Sequence, residues 1–475
     1  MVVLASSAFL VPRLVSGEQP ARDHLAVAAV RPSVLVDAQG AVIQEFTGDC
    51  TAGRNAYLCE RVRAELSASD PALVRRGNLT IRTAIDPRVQ QAAEQAIERH
   101  IDRGDEPVAA QAVIAPGTGE IKALKAGGGQ PTGAQQGAGP PSGVAQGGVQ
   151  QGDVQQGDVQ QGGGHLDGGH LDGGLLDGGR QRGVQQGVSA MVYPLAAALE
   201  SGMRLDDGFP TGDGYRAPAY ASFKNCAGEN VGDPTHTVVN PTDDGATFTT
   251  LRSGTVAAEN TFFMRLTEKV GLCETVRMAR RLGLVRADGG PLREYETFAL
   301  GVNEVDAVAV ASSYATLAAR GRHCAPHVVM EVAAGGGGAV RAFPPTCEQV
   351  LEAPVADAVT AVLAQALAAG PLKGLGRDAA GMDGTADAFA AAGYAGYTPD
   401  LASAVTLGFP GDGSRRTLTD VTIAGRRHQE VSGTDVAGPI WKDTMREALT
   451  GTPDTPFTAL DATRFGGCGA SCPPG

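Results

Sequence analysis

The sequence predicts an α+β fold, an antiparallel sheet flanked by helices with a helical lobe beside it. Three observations carry this. A strand, a helix and a hairpin come first, helix-period segments fill the middle, and alternating strands return before a final helix. With 42% hydrophobic and 19% charged positions over 475 residues, the chain can bury a sizeable core. Much of the excess among its 66 glycines falls in one stretch, residues 126–187, which separates what packs from what cannot.

The elements follow in order. Residues 78–83 alternate like a strand, and Asp86-Pro87 opens a helix to about Ile101, with Val89, Ala92, Ala93, Ala96 and Ile97 at helical spacing. Residues 108–126 read as a hairpin turned at Pro116-Gly117-Thr118-Gly119. The block 126–186 repeats Val-Gln-Gln-Gly-Asp from Val149 and His-Leu-Asp-Gly-Gly from His165, a composition too poor in apolar residues to offset the entropy of ordering its glycines. Metal binding by His165, His170, Asp167, Asp172 and Asp177 is the sharper alternative, but the spacing does not match a calcium-binding nonapeptide repeat, so no metal is expected there. Residues 188–202 are expected as one buried or half-buried helix, 253–283 as a second helical group, 305–320 as a third, and 355–369 as another helix. Strands follow over 393–423 around Pro410-Gly411-Asp412-Gly413, then a helix over 439–449 carrying the single tryptophan, Trp441. The expected division is an N-terminal remnant or linker over 1–76, the main domain over 77–125 and 187–450, the insert over 126–186 and a tail over 451–475.

Thirty-nine basic against 52 acidic residues leave a net charge of −13, which argues against nucleic acid or an anionic membrane surface as main partner. The N-terminal apolar run is broken by Pro12 and Arg13, too short to span a membrane and weak as an export signal. Eight cysteines allow the pairings Cys50–Cys59, Cys226–Cys273, Cys324–Cys347 and Cys468–Cys472, though spacing does not fix connectivity, and Cys468 with Cys472 is also compatible with idle thiols. A mostly disulfide-bonded chain in an extracytoplasmic, cell-envelope setting is expected, with reduced buried thiols in the cytosol as the alternative.

Several blocks, in order, resemble the transpeptidase domain of class A penicillin-binding proteins. Gly77-Asn78-Leu79-Thr80-Ile81-Arg82-Thr83-Ala84-Ile85-Asp86-Pro87 is similar to that family's lead-in strand and helix, and residues 107–126 to its first hairpin. Thr250-Leu251-Arg252-Ser253-Gly254-Thr255 with Asn260-Thr261-Phe262-Phe263 resembles the second-motif helix. Phe298-Ala299-Leu300-Gly301-Val302-Asn303-Glu304-Val305 resembles the stretch before the next helix, and Tyr394-Ala395-Gly396-Tyr397-Thr398-Pro399-Asp400-Leu401-Ala402 the strand after the third motif. The likeness covers roughly residues 50–450. It implies acyl transfer: the Ser of Ser-x-x-Lys attacks a D-alanyl carbonyl or a β-lactam, and the Lys one turn later removes its proton. A Ser-x-Asn motif adds a hydroxyl and an amide, and a Lys-Thr-Gly strand binds substrate carboxylate while backbone N–H groups hold the oxyanion.

This chain departs from all three motifs. The first falls on Val188-Ser189-Ala190-Met191, placing valine and methionine at the nucleophile and base positions. The second falls on Ala258-Glu259-Asn260 and keeps only the asparagine. The third falls on Met382-Asp383-Gly384-Thr385, with methionine for lysine and an added aspartate. A register shift of one pairs Ser189 with Val192, and none of Lys122, Lys125, Lys224, Lys269, Lys373 and Lys442 has a serine three residues before it. Losing nucleophile or base alone costs on the order of a million-fold in a serine hydrolase, so no acyl transfer is expected. Ser189 lies about 100° round a helix from the nucleophile position and is expected to cap the helix N-terminus. Asn260 is expected either to bond a peptide carbonyl or to satisfy neighbouring backbone. Gly384 and Thr385 are candidate substrate-binding positions, although a strand-edge role weighs more. His236, His323 and His327 read as loop residues with no Ser or Cys motif nearby and are expected to be surface or structural histidines.

The Glu-Asp-x-x-Phe motif of a glycosyltransferase half is absent, and only residues 54–66 resemble the linker that follows such a domain. The resulting expectation is a transpeptidase-like protein without covalent chemistry or cofactor. It would bind peptidoglycan stem peptides, cell-wall synthesis proteins or, non-covalently, a β-lactam. A residual D-alanyl-D-alanine transpeptidase or carboxypeptidase and a decaying gene copy are the alternatives.

Overall fold

A computed structural model describes residues 32–50, 55–129, 176–177, 180–181, 183–212, 214–241, 247–335, 338–410 and 416–472. The helices are α1 (Ala56–Ser69), α2 (Pro71–Arg76), α3 (Pro87–His100), α4 (Val192–Glu200), α5 (Leu251–Ala257), α6 (Asn260–Val270), α7 (Leu272–Arg281), α8 (Ala307–Ala318), α9 (Ala353–Ala369), α10 (Ala437–Ala448) and α11 (Ala462–Phe465).

The central sheet runs Ala380–Asp383, Ala391–Tyr397, Ala402–Gly408, Val108–Ile114, Ile121–Gly128, antiparallel throughout. Its middle strands are buried on both faces, which explains their continuous small and apolar sequence rather than strict alternation. Helices α3 and α10 cover one face, with Trp441 donating from Nε1 to the Gly396 carbonyl at 3.1 Å. Helix α8, buried almost throughout, covers the other and joins the sheet to the lobe of α4 to α7 and α9. Asp86 caps α3 by accepting from the N–H of Arg88 at 2.9 Å, with Pro87 at the first helical position as expected.

A second sheet runs Ala339–Ala342, Val329–Ala334, Leu79–Thr83, Ser33–Val36, Val42–Phe46, with Ser33–Val36 parallel to Leu79–Thr83. No break in packing falls at residue 76: Leu35, Phe46, Tyr57, Leu58 and Leu66 are buried in the main core. Phe465 of the tail is buried there too.

Two helical expectations are refined. Residues 188–202 do not form one helix; a 3₁₀ turn, Gly187–Met191, leads into α4. Pro194 gives the reason, because its ring would collide with the carbonyl of Ala190 were the α-helix to include that residue. The group over 253–283 is three helices, broken where Ala258 adopts φ 51° and Gly271 φ 101°. All four anticipated cysteine pairs are disulfides. His165, His170, Asp167 and Asp172 lie outside the described residues, as does the 411–413 part of the anticipated turn; Asp177 falls in the short strand Leu176–Asp177.

Candidate functional site

The first-motif turn and the third-motif strand meet backbone to backbone. The N–H of Val188 donates to the Thr385 carbonyl at 3.1 Å, and that of Gln186 to the Asn303 carbonyl at 3.1 Å. Gly187, at φ +66°, makes this possible: a Cβ there would lie 2.2 Å from the Gly384 carbonyl oxygen. On its other side Gly301 presses against Gly187, where an added Cβ would come within 2.1 Å of the Gly187 oxygen.

Gly384 continues the strand, exchanging hydrogen bonds with Gly393 at 2.8 and 3.0 Å. Thr385 donates its N–H at 2.6 Å and its hydroxyl at 2.5 Å to Oδ1 of Asp383, and the Thr385 hydroxyl oxygen accepts from the N–H of Gly433 at 2.8 Å. Burial pushes the Asp383 carboxyl above the usual carboxylate range, only partly offset by the Thr385 hydroxyl and the N–H groups of Thr385 and Thr434. Met382 and Met191 are both buried, at 3% and 0% exposure, and offer no basic nitrogen.

Ser189 departs from its expected role. Its hydroxyl, buried, donates to the Gln186 carbonyl at 3.1 Å instead of accepting from a helix N–H, so it is not an N-cap. The 3₁₀ geometry turns it back along the chain. Beneath it Gln186 Nε2 donates to the Tyr193 hydroxyl at 3.0 Å, which donates to Ser313 Oγ at 3.3 Å. Burial pushes the Tyr193 phenol up to about 12, so it holds its proton and does not act as a base near neutrality. Sequence reasoning missed this network, although a tyrosine two residues beyond the base position was its signal.

At the second motif, Ala258 closes α5 in the left-handed conformation, and the buried Glu259 accepts from Thr249 Oγ1 at 2.9 Å. Asn260 donates from Nδ2 to the Val239 carbonyl at 3.1 Å, a bond to neighbouring backbone, while its Oδ1 has no partner among the described residues. The histidines lie apart from the motifs. His236 pairs with Glu296 at 3.0 Å, His327 Nδ1 lies 3.3 Å from the Ala325 carbonyl, and His323, in the strand Arg322–Cys324, bonds Thr316 at 3.0 Å with its pKa lowered by burial. Asp207, Cys468 and Cys472 have metal-ligand spacing, but both sulfurs are in a disulfide.

No family model matches the chain. Penicillin-binding protein 1A of Mycobacterium tuberculosis is 27% identical over 442 residues, 86% of this chain and 44% of its own length. The Aquifex aeolicus penicillin-binding protein 1A is 29% identical over 215 residues, 44% of this chain and 27% of its own. The solved structure of penicillin-binding protein PonA1 from Mycobacterium tuberculosis overlays with a TM-score of 0.63 at 24% identity, covering 88% of this chain and 95% of that one. The chain carries a class A penicillin-binding-protein-like transpeptidase domain. It spans less than half the length of these curated relatives. PonA1 has also been captured with penicillin V. No helix among the described residues is long and apolar enough to cross a membrane.

Proposed function

We propose that this domain forms no acyl-enzyme and acts in cell-wall synthesis by binding, either to peptidoglycan stem peptides or to wall-synthesis proteins. The observation that carries the reading is at Val188. An aliphatic side chain occupies the nucleophile position, and its N–H is already spent on the Thr385 carbonyl. The Thr385 N–H is likewise spent, on Asp383. Acyl transfer needs an attacking heteroatom and unspent donors aimed at the developing oxyanion, and these positions supply neither. Val188, Met191, Ala258, Met382 and Asp383 are thus read as lost catalytic positions, Asn260, whose Oδ1 has no partner among the described residues, as what remains of the binding edge, and Gly384 and Thr385 as former binding positions whose polar groups now bond Gly393, Asp383, Gly433 and Val188. Four disulfides support an extracytoplasmic, oxidising setting.

Incubation with a labelled penicillin followed by denaturation and intact-mass measurement tests the reading. The expected mass is that of the unmodified chain, and an adduct that survives denaturation overturns the proposal. Restoring Val188→Ser, Met191→Lys, Ala258→Ser, Met382→Lys and Asp383→Thr together is expected to yield label. The set includes Asp383 because its carboxylate holds the Thr385 N–H. A folded but unlabelled five-fold variant would mean that the cleft differs beyond these side chains.

A further inference from the structure

The last described residues form a ring, Cys468-Gly469-Ala470-Ser471-Cys472, closed by a disulfide of sequence separation 4. Its three central N–H groups all donate to one oxygen, Oδ1 of Asp207, at 2.8, 2.9 and 3.0 Å, and Cys468 Sγ lies 3.2 Å from the same atom. The other oxygen accepts from the N–H of Arg204 at 2.8 Å. Successive backbone N–H groups curled around an anion form a nest, and here the anion is the chain's own carboxylate, 2% exposed. Burial works against this charge, but the four N–H groups overcome it and hold the carboxyl below the usual range.

The nest sits where the helices of the first and second motifs are joined. The N–H of Leu205 donates to the Phe465 carbonyl at 2.9 Å, that of Asp206 to Gly467 at 3.2 Å and that of Gly208 to Ser471 at 2.8 Å, so the tail lies along residues 205–208 just beyond α4. The same residues start α5: the Asp207 carbonyl accepts from the N–H of Leu251 at 2.9 Å and the Leu205 carbonyl from that of Arg252 at 2.9 Å. Arg252 Nε also pairs with Asp206 at 2.9 Å. Of the eight cysteines only Cys472 is exposed; the others are buried or half-buried.

We propose that the Cys468–Cys472 ring is a redox-sensitive clasp that fixes the α4–α5 junction of the helical lobe to the C-terminal segment. A small thiol or a dithiol oxidoreductase supplies the electrons. Its thiolate attacks Cys472 Sγ, the S–S bond breaks, and the electron pair leaves on Cys468 Sγ, which takes up a proton. A second reductant thiol then attacks the mixed disulfide and releases the Cys472 thiolate, which is protonated in turn. In sum, one protein disulfide and two reductant thiols give two protein thiols and one reductant disulfide. Opening the ring frees residues 469–471 from a curled conformation, so their N–H groups no longer converge on Asp207. The buried carboxylate loses three of its donors, and the backbone pairs to 205–208 loosen with them.

The test uses the whole chain under native conditions, with dithiothreitol as the probe, alkylation and intact mass as one readout and hydrogen exchange as the other. Cys468 and Cys472 are expected to be alkylated first, as a pair, with exchange at residues 204–208 and 251–254 rising at least tenfold and returning on reoxidation. Asp207→Asn, with the disulfide intact, is expected to raise exchange at the same residues, which separates loss of the carboxylate anchor from loss of the covalent bond. If another pair is reduced first, or if reduction leaves exchange at 251–254 unchanged, the clasp is refuted. The double variant Cys468→Ser, Cys472→Ser is expected to match the reduced protein, and exchange equal to that of the oxidised protein would overturn the proposal.

Discussion

Asp383 ends the strand Ala380–Asp383, half-buried as a residue, with its carboxyl packed against Thr385 and accepting two of that residue's protons. Its pKa is raised chiefly by burial, with Asp435 adding like charge. A carboxyl whose folded pKa exceeds its unfolded value, about 3.9, contributes stability that is complete below the unfolded value and is lost as pH rises through the folded one. The wild type is therefore expected to lose stability relative to Asp383→Asn as pH rises from about 4, the variant keeping an acceptor oxygen for Thr385 without an ionisable group. Urea midpoints of both proteins across that range check this, and parallel curves would refute it. The aspartate was legible in the sequence as an added charge. Its capture of the Thr385 N–H was not, because that depends on how the chain turns after the strand. Ser189 failed for a related reason: its hydroxyl direction is set by a 3₁₀ turn that residue spacing does not reveal.

The contact between the 3₁₀ turn Gly187–Met191 and the strand running on from Asp383 is made by backbone atoms, which makes it sensitive to a single methyl group. Gly187→Ala would place a Cβ 2.2 Å from the Gly384 oxygen at a φ of +66°, so it combines a clash with left-handed strain. Gly202, at φ +97° with nothing within 4 Å, isolates the strain alone. Gly202→Ala is expected to cost about 1 kcal/mol and Gly187→Ala upward of about 3 kcal/mol, read as the difference in chemical-denaturation free energies; equal costs would mean that the turn can move away from the strand. Much at this scale was readable in advance. The hairpin Val108–Ile114 with Ile121–Gly128 follows from two apolar runs flanking a Pro-Gly turn, and helix α3 from Asp86-Pro87 and helical spacing. The split of 188–202 was readable as well, since Pro194 forbids an α-helix that includes Ala190, but apolar periodicity runs straight through the boundary.

Across the whole molecule, the least legible feature is the docking of residues 33–76. Short strands far apart in sequence carry no sign of their partners, and the parallel pairing of Ser33–Val36 with Leu79–Thr83 needs a long connection that composition alone marks as linker. The segment's apolar side chains, Leu35, Phe46, Leu58 and Leu66 among them, enter the main core, and a polar clamp sets where α1 sits. Both carboxylate oxygens of Glu65 on α1 accept the N–H of Val328 at 2.9 Å, and Oε2 also accepts that of Val329 at 2.9 Å. Arg61 clamps the same carboxylate at 2.8 Å and donates to the Pro326 carbonyl at 2.6 Å, beside the buried Asp306 that caps α8. Removing the acceptor leaves two N–H groups without it in a half-buried site, a cost of about 1–3 kcal/mol. Glu65→Ala is therefore expected to lower the melting temperature of the entire domain and to expose α1 to proteolysis, while Glu65→Gln, which keeps one oxygen, loses less. If residues 33–76 were an independent linker, the variant would be cut at α1 while the remaining domain kept its wild-type melting temperature. That outcome would detach the N-terminal strands from the fold. A single, lower, cooperative transition would instead make them part of the unit that holds Val188 against Thr385.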